Sequence, residues 1–340
     1  YLDLDPNNLL EFKRNIPEET HKILPRLLKD FKMSRFDNLC GGLQLYTEKL
    51  IVKWIKAIIA KTKIKKIVCG GGVFMNIKVN KIISEIPEID YFDAFPSCGD
   101  ETLNFGALWL YLNSINQNNE IKSKFKNIYL GPKPNFDQNY IDKNFKNMIQ
   151  YKRYDDIEFE TAKLLADNKI IARCSGEMEF GARALGNRSI LANPSDFKIV
   201  SRINKMIKKR DFWMPFSPMM TREAAEKHLI IPKSLNNNIS PFMMHSFDTK
   251  LNSRDLFPAA IHPYDNTARA QIVSNSTNEN LMKILKYYGE MTGEEVLLNT
   301  SFNLHGFPIV LDFKDAINVF VQSDLTHLII DQNILTKIVN

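Results

Sequence analysis

The chain has 340 residues, of which 44% are hydrophobic and 25% are charged, so its composition is that of a globular protein and its length predicts about two domains. Its 45 basic residues are spread along the chain and stand against 39 acidic ones, so the net charge of +6 fits an anionic small substrate at least as well as nucleic acid. No apolar run approaches ~18 residues, no signal peptide is visible, and the four cysteines form no CxxC pair, which predicts a cytoplasmic protein with reduced thiols and neither a membrane span nor a zinc knuckle.

The first part of the chain alternates between helix, strand and loop. Apolar residues at three- to four-residue spacing predict a helix over 50–59. A short buried strand is predicted at 66–69, and it runs into three consecutive glycines at 70–72. A second strand over 90–95 precedes a turn and a helix over 102–113. This alternation predicts an α/β unit with ligand loops at the strand ends.

The second part continues the alternation after a polar stretch. Residues 116–127 are poor in apolar side chains and are predicted to form a linker, and three asparagines at 236–238 indicate an exposed loop. Helices are predicted over 159–168, 197–208, 279–291 and around 316–321, and strands over 169–174, 295–298 and 326–331. The chain begins at Tyr1 without a methionine, which suggests a piece of a longer protein.

The segment EMEFGARALGNR at 177–188 is the most distinctive motif of the chain. It follows a predicted strand and crowds Glu179, Arg183, Asn187 and Arg188 around two glycines, with Ser189 next in line. Glycine allows a backbone to approach a ligand closely, and arginine offers a planar fork that matches phosphate or carboxylate oxygens in pairs. The motif therefore predicts an anion cradle. The alternative is a surface loop with solvated arginines.

Three more polar clusters lie downstream. Asn204 and Lys208, four residues apart and predicted to share a helix face, precede Arg210. Arg269 belongs to the run HPYDNTARAQ, and residues 299–303 (NTSFN) leave a predicted strand. Each cluster alone has an ordinary explanation, such as a solvated lysine, a surface cation or a capped turn. Together they predict arginine and lysine converging on one anion, as phosphoryl chemistry requires.

The order of these motifs resembles the O-carbamoyltransferase family of the NodU and CmcH type. The resemblance covers almost the whole chain and rests on GGGVFMN at 70–76, GDE-x-x-x-x-GA at 99–107, MEFGARALGNRSILANP at 178–194, N-x-x-I-K-x-R-D at 204–211, PFSP at 215–218, DNTARAQ at 265–271 and LNTSFN-x-x-G-x-PIV at 298–310. Several separate motifs in the right order are more specific than any one of them.

The resemblance implies an α/β protein with two parts. Residues 1–115 would be the C-terminal portion of an actin-like (ASKHA) ATPase domain, 116–149 a connecting segment, and 150–340 a YrdC-like domain. The YrdC-like domain would form carbamoyl adenylate from carbamoyl phosphate and ATP. The actin-like domain would pass the carbamoyl group to an acceptor hydroxyl, such as that of a sugar or a natural product. Neither a membrane nor a nucleic acid is expected as a partner, and a homodimer is left open.

The resemblance also implies residue roles. The catalytic residues would be Arg183, Arg269 and Ser301. The substrate-binding residues would be Lys208, Arg210, Asn187, Ser189 and Asn299, and the nucleotide-binding residues would be Gly70, Gly71, Gly72 and Asn76. Asp100 would be a metal ligand. Mg²⁺ would accompany ATP, and a divalent transition metal such as iron would bind in the actin-like domain through further ligands outside this chain.

The sequence departs from the family pattern at several loop positions. Ala182 replaces a proline before the key arginine, which removes a constraint on the backbone. The other departures are Glu177 for arginine, Asn266 for glycine, Ala270 for proline and Phe307 for glutamate. None removes a predicted anion ligand.

Two other functions remain open at this point. One is a threonylcarbamoyl-adenylate enzyme serving tRNA, which would call for a basic stripe that the sequence does not show. The other is a truncated module that binds nucleotide or carbamoyl phosphate without transferring a group.

Overall fold

The computed structural model describes residues 1–115, 127–208, 214–235 and 239–338. Its largest element is an eight-stranded mixed sheet. The strands are β5 (Ile149–Arg153), β6 (Ile171–Cys174), β7 (Arg188–Ala192), β8 (Ser217–Thr221), β12 (Gln271–Val273), β13 (Val296–Ser301), β14 (His327–Ile330) and β15 (Asn333–Lys337). Their order across the sheet is β12-β8-β13-β7-β6-β14-β15-β5, with β8 parallel to β12, β6 parallel to β14, and the other neighbours antiparallel.

Helices cover both faces of this sheet, so its central strands are buried on both sides. On one face, α6 (Ile157–Ala166) packs against α9 (Glu279–Thr292) over alternate residues of the strands. On the other face lie α7 (Lys198–Ile203) and α10 (Phe313–Gln322). The sequence explains α9 well, because Asn278 caps its first turn and Gly293 ends it at φ +84°.

The first part of the chain has its own smaller elements. They are β1 (Leu2–Asp5), β2 (Asn8–Arg14), α1 (Leu24–Asp30), α2 (Phe36–Thr62), β3 (Lys66–Cys69), α3 (Ile77–Ser84), β4 (Tyr91–Ala94) and α4 (Leu103–Ser114). β3 and β4 form a two-stranded parallel sheet, and α2 buries Ile51, Ile55 and Ile59 against the core. Within the described ranges, α4 buries none of its residues.

Helix α3 joins the two parts of the chain. The side-chain amide of Asn80 donates to the carbonyls of Phe74 (2.8 Å) and Met244 (2.7 Å), and Ser234 donates to the carbonyl of Ser84 (2.6 Å). A three-stranded antiparallel sheet of β9 (Leu229–Ile230), β10 (Phe247–Thr249) and β11 (Thr267–Ala268) meets α3 through the ion pair of Lys81 with Asp248 (3.0 Å), and α8 (Arg222–His228) leads into this sheet. Helix α5 (Gln138–Asn144) instead packs Tyr140 against Phe313 of α10.

Most predicted elements are present, with changed limits. The helix expected over 50–59 is the second half of α2, and the strand expected over 295–298 continues to Ser301. The helix expected over 197–208 ends at Ile203 and continues as a π-helical turn, Asn204–Lys208. The predicted linker, apart from Asn127, and the predicted loop at 236–238 lie outside the described residues.

The α/β class is confirmed by the large mixed sheet and its helices. All four cysteines are free, and three of them are buried while Cys40 is exposed. In the part of the chain that the structure describes, no helix combines the length and apolarity needed to cross a membrane.

Candidate anion-binding site

A cavity of about 530 Å³ opens where β13 ends and where β7 and β8 begin. The antiparallel register explains this position, because Ser301 lies opposite Ser189 and Asn299 lies opposite Ser217. Four predicted site residues line the cavity: Arg183, Arg269, Asn299 and Ser301. Its volume falls within the range of small-molecule sites.

The loop that carries Arg183 is built around a buried carboxylate. Oε1 of Glu179 accepts hydrogen bonds from the backbone N–H groups of Leu185 (2.5 Å), Asn187 (3.2 Å) and Arg188 (3.2 Å). Burial raises the pKa of Glu179, and these backbone bonds oppose the rise. Glu179 thus fixes the path of the loop.

The tip of this loop touches the first part of the chain. Gly181 adopts φ +97°, and a Cβ added there would lie 2.4 Å from Ser97, so only glycine fits. The backbone N–H of Ala182 donates to Oγ of Ser97 (3.2 Å), which in turn donates to Glu101 (2.5 Å). A proline at 182 would lack this donor, so here a hydrogen bond holds the backbone that a ring would otherwise constrain.

Among the described cations that line the cavity, Arg183 has a side-chain nitrogen left open to a ligand. Its Nε is buried and has no hydrogen-bond partner in the structure, and burial alone lowers the pKa of its guanidinium. No carboxylate lines the cavity among the described residues. Arg183 is half-buried, and leaving its buried Nε without a partner is costly, so the side chain is suited to an anion that enters from outside.

Arg269 approaches the same cavity from the start of β12. Its Nε donates to Oγ of Ser217 (3.0 Å), which is buried at the start of β8. This bond fixes one edge of the guanidinium at the cavity wall.

Lys208 is fully buried, so the alternative of a solvated lysine does not hold. Its ammonium donates to Oγ of Ser301 (3.0 Å) and to Oδ1 of Asn303 (2.6 Å), and it also bonds the backbone carbonyl of Ser301. Lys208 therefore places its charge directly behind Ser301 and orients the end of β13. Arg210 lies outside the described residues.

Asn187 and Ser189 support the loop from behind and are not among the residues that line the cavity. Oδ1 of Asn187 accepts from Arg173 (2.8 Å), and Oγ of Ser189 accepts from the N–H of Gly186 (2.9 Å). Arg188 is also buried, and its guanidinium donates to four backbone carbonyls, those of residues 132, 176, 187 and 311. These side chains stabilise the cradle.

The glycine run lies at the end of β3. Gly70, Gly71 and Gly72 are exposed, no atom lies within 4 Å of a Cβ added at any of them, and Gly71 adopts φ +100°. Asn76 caps α3 by accepting from the N–H of Lys78 (3.2 Å). The first turn of α3 then reaches the cavity, because Ile77 and Lys78 line it.

The described residues do not form a metal site around Asp100. Asp100 is exposed in the turn Asp100–Thr102, and no group of three or more His, Cys, Asp or Glu side chains in the described ranges could hold an ion. The role of Asp100 as a metal ligand stays a prediction.

Sequence reasoning missed Lys78. It lines the cavity and pairs with Asp265, which also accepts from the hydroxyl of Thr267 (2.8 Å). Lys78 lies in the first turn of α3, and 187 positions of sequence separate it from Asp265. No motif marks such a pair. Asn266, the residue that replaces a family glycine, adopts φ +56°, a conformation that asparagine tolerates better than most residues.

Comparison with known proteins places these observations in a family. A profile described as carbamoyltransferase C-terminus matches residues 162–337. An uncharacterized protein of Methanocaldococcus jannaschii is 33% identical over 304 residues, covering 87% of this chain and 48% of the relative. Nodulation protein NolNO of Sinorhizobium fredii is 31% identical over 327 residues (93% and 47%), and nodulation protein U of Bradyrhizobium diazoefficiens is 26% identical over 279 residues (81% and 46%).

The chain spans about half the length of the curated relatives that it matches. A crystal structure of full-length HypF in the phosphate- and nucleotide-bound form aligns with a TM-score of 0.35 and 17% identity, over 56% of this chain and 22% of that chain. This score is too low to carry an argument. The family profile covers more than half of the chain, and the resemblance predicted from the motifs is confirmed: the chain belongs to the carbamoyltransferase family and is by class part of a transferase.

Proposed function

We propose that the protein takes part in ATP-dependent O-carbamoyl transfer, in which carbamoyl adenylate forms from carbamoyl phosphate and ATP and the carbamoyl group then passes to an acceptor hydroxyl. The observation that carries this proposal is the convergence of Arg183, Arg269 and Ser301 on one cavity whose described walls hold no carboxylate. The family membership supports the carbamoyl group as the group transferred.

The proposed reaction needs positive charge because carbamate and ATP, which are both anions, must meet, and pyrophosphate, a third anion, leaves. Water cleaves carbamoyl phosphate to carbamate and phosphate. A carbamate oxygen then bonds to the α-phosphorus of ATP, the bond between the α- and β-phosphates breaks, and pyrophosphate leaves. In the transfer step the acceptor oxygen attacks the carbonyl carbon, the bond to AMP breaks, and the hydroxyl proton passes to a base.

The geometry suggests separate roles for the site residues. Arg183, which has no internal partner at Nε, would bind the incoming anion, and Arg269, held by Ser217, would stabilise charge at the cavity wall. The hydroxyl of Ser301 accepts from Lys208 and donates to Oδ1 of Asn303 (2.6 Å), so it would turn its proton from Asn303 to a phosphate or carbonyl oxygen of the ligand. Preorganised cations such as Arg269, which Ser217 holds in place, stabilise developing charge without moving during the reaction.

The division into an actin-like and a YrdC-like part belongs to the same proposal. In it, the exposed turn at 70–72 contacts nucleotide, and the cavity belongs to the adenylate-forming half. The free space around those glycines supports the first assignment.

Exchange of labelled pyrophosphate into ATP tests the proposal. The folded chain, checked by circular dichroism, is incubated with ATP, Mg²⁺, carbamoyl phosphate and labelled pyrophosphate, and we expect exchange that depends on carbamoyl phosphate. Arg183→Ala should lower the exchange rate by roughly 100- to 1,000-fold, as loss of one transition-state donor does. Arg202→Ala, at an exposed position of α7, should leave it unchanged.

Two results would contradict the proposal. Absence of exchange in folded protein would favour a binding module without transfer activity. Exchange that requires bicarbonate and threonine in place of carbamoyl phosphate would favour the threonylcarbamoyl-adenylate alternative.

A further inference from the structure

Two buried side-chain amides form a chain behind the cavity. Asn299 lines the cavity wall and is 1% exposed, and Gln271, next to it, is 2% exposed. The amide nitrogen of Asn299 donates to the carbonyl of Ala184 (3.1 Å) and to Oε1 of Gln271 (2.8 Å). The amide nitrogen of Gln271 donates to the carbonyl of Leu185 (2.8 Å).

The partners of this chain fix the orientation of both amides. A backbone carbonyl can only accept, so Gln271 must turn its NH₂ toward Leu185 and its oxygen toward Asn299. Asn299 must then present its NH₂ to that oxygen, and the carbonyl of Ala184 requires the same orientation. A flipped Asn299 would place its own oxygen against two other oxygens.

This orientation leaves one acceptor without a partner. Oδ1 of Asn299 is buried and accepts no hydrogen bond in the structure, although both hydrogens of the same amide are used. Leaving a buried carbonyl unsatisfied is unfavourable, and such groups in native proteins call for an explanation. A ligand that brings an N–H to the cavity would satisfy it.

The surroundings restrict which ligand group this is. Arg183 and Arg269 offer donors to the oxygen atoms of a ligand, whereas Oδ1 of Asn299 is an acceptor and needs a donor from the ligand. A carbamoyl group carries an NH₂ beside its carbonyl, whereas an acetyl group of nearly the same shape carries a methyl group.

We propose that Oδ1 of Asn299 accepts a hydrogen bond from the NH₂ of the carbamoyl group and thereby selects carbamoyl over acyl groups that lack an N–H. This inference rests on the proposed function and adds a specificity residue to it. Gln271 is then a positioning residue, because it acts only by fixing the amide of Asn299. A site built to hydrogen-bond a substrate N–H rejects analogues without it far more strongly than a site that only matches shape.

Pyrophosphate exchange supported by carbamoyl phosphate, compared with exchange supported by acetyl phosphate, which must undergo the same cleavage before adenylation, tests the inference. The measured quantity is the ratio of kcat/KM for the two substrates. We expect Asn299→Ala to lower this ratio by about 10- to 100-fold, mainly through loss of the carbamoyl-dependent rate. Asn299→Ser and Gln271→Leu should lower it by smaller factors. Asn333→Ala, which removes a buried asparagine amide from β15, should leave the ratio unchanged.

The outcomes separate this inference from the proposed function. If the wild-type chain shows no carbamoyl-dependent exchange, the proposed function itself is wrong. If it does show exchange, and Asn299→Ala slows both substrates equally or keeps the wild-type ratio, Asn299 has a structural role and the inference is overturned. If Asn299→Ala does not fold, the ratios of Asn299→Ser and Gln271→Leu decide: a lowered ratio in both supports the inference, and an unchanged ratio refutes it.

Discussion

Replacing Glu179 by alanine should strongly destabilise the protein, although this side chain does not line the cavity. The carboxylate accepts from three buried backbone N–H groups, and each of these costs about 1–3 kcal/mol when left unpaired. Relaxation of the loop and relief from burying a carboxylate offset part of the loss. We therefore expect the free energy of unfolding to fall by about 3–5 kcal/mol, a large share of the 5–15 kcal/mol typical of a domain.

Urea unfolding followed by circular dichroism measures this change as a shift in midpoint at constant m-value. Glu179→Gln keeps a carbonyl oxygen for the same donors and should lose less than ~2 kcal/mol. Glu177→Ala, an exposed carboxylate in the same loop, is the matched control and should stay within about 0.5 kcal/mol of wild type. If Glu179→Ala unfolds within 1 kcal/mol of wild type, the carboxylate does not organise the loop.

The same carboxylate predicts a dependence of stability on pH. Because burial raises the pKa of Glu179, its folded form holds a proton more tightly than the unfolded chain does. Its contribution to stability is therefore greatest below the ordinary glutamate pKa, and it falls as pH rises through the raised value. The unfolding free energy of wild type minus that of Glu179→Gln, measured at a series of pH values, should show this fall. A difference that rises with pH over the same window would show that the sign is wrong.

Three further changes test other contacts of the site. Gly181→Ala should abolish pyrophosphate exchange and lower the free energy of unfolding by about 1–3 kcal/mol, because the residue adopts φ +97° and the new Cβ would clash with Ser97. An unchanged exchange rate would mean that the loop tip has another conformation. Lys208→Met removes a buried charge that holds the end of β13, so we expect kcat for exchange to fall by roughly 100-fold, and a change confined to KM would speak against this role. For Asp265, burial raises the pKa, but hydrogen bonds from Lys78 and a threonine outweigh it and bring the pKa to about 2. Its contribution to stability is thus present above pH ~4 and lost as pH falls toward 2, and Asp265→Asn should remove that loss in acid unfolding monitored by fluorescence.

The sequence singled out four residues of the cavity wall because they belong to motifs with a fixed order. Arg183, Arg269, Asn299 and Ser301 all line it. Their separate positions in the chain come together through the antiparallel register of β13 with its neighbours, and no local pattern contains that register.

Other features could not be predicted, for physical reasons. β8 contains Pro218, which cannot donate to a ladder and argues against a central strand, yet β8 lies between β12 and β13. The burial of Lys208 depends on acceptors that the fold supplies from 93 residues away. The supporting role of Asn187 follows from Arg173, a buried cation that no motif distinguishes from an exposed one.

The exposed helix α4 has a consequence for the motions of the chain. None of its residues is buried, so its amides should exchange with deuterium well before those of the eight-stranded sheet. Helix α3 differs, because it buries Val79, Asn80 and Ile83. The cavity draws its walls from both parts of the chain, since α3 carries Lys78 and β13 carries Ser301. An occupant that bridges these walls would tie the two parts together, and slower exchange in α3 would report that the cavity is filled.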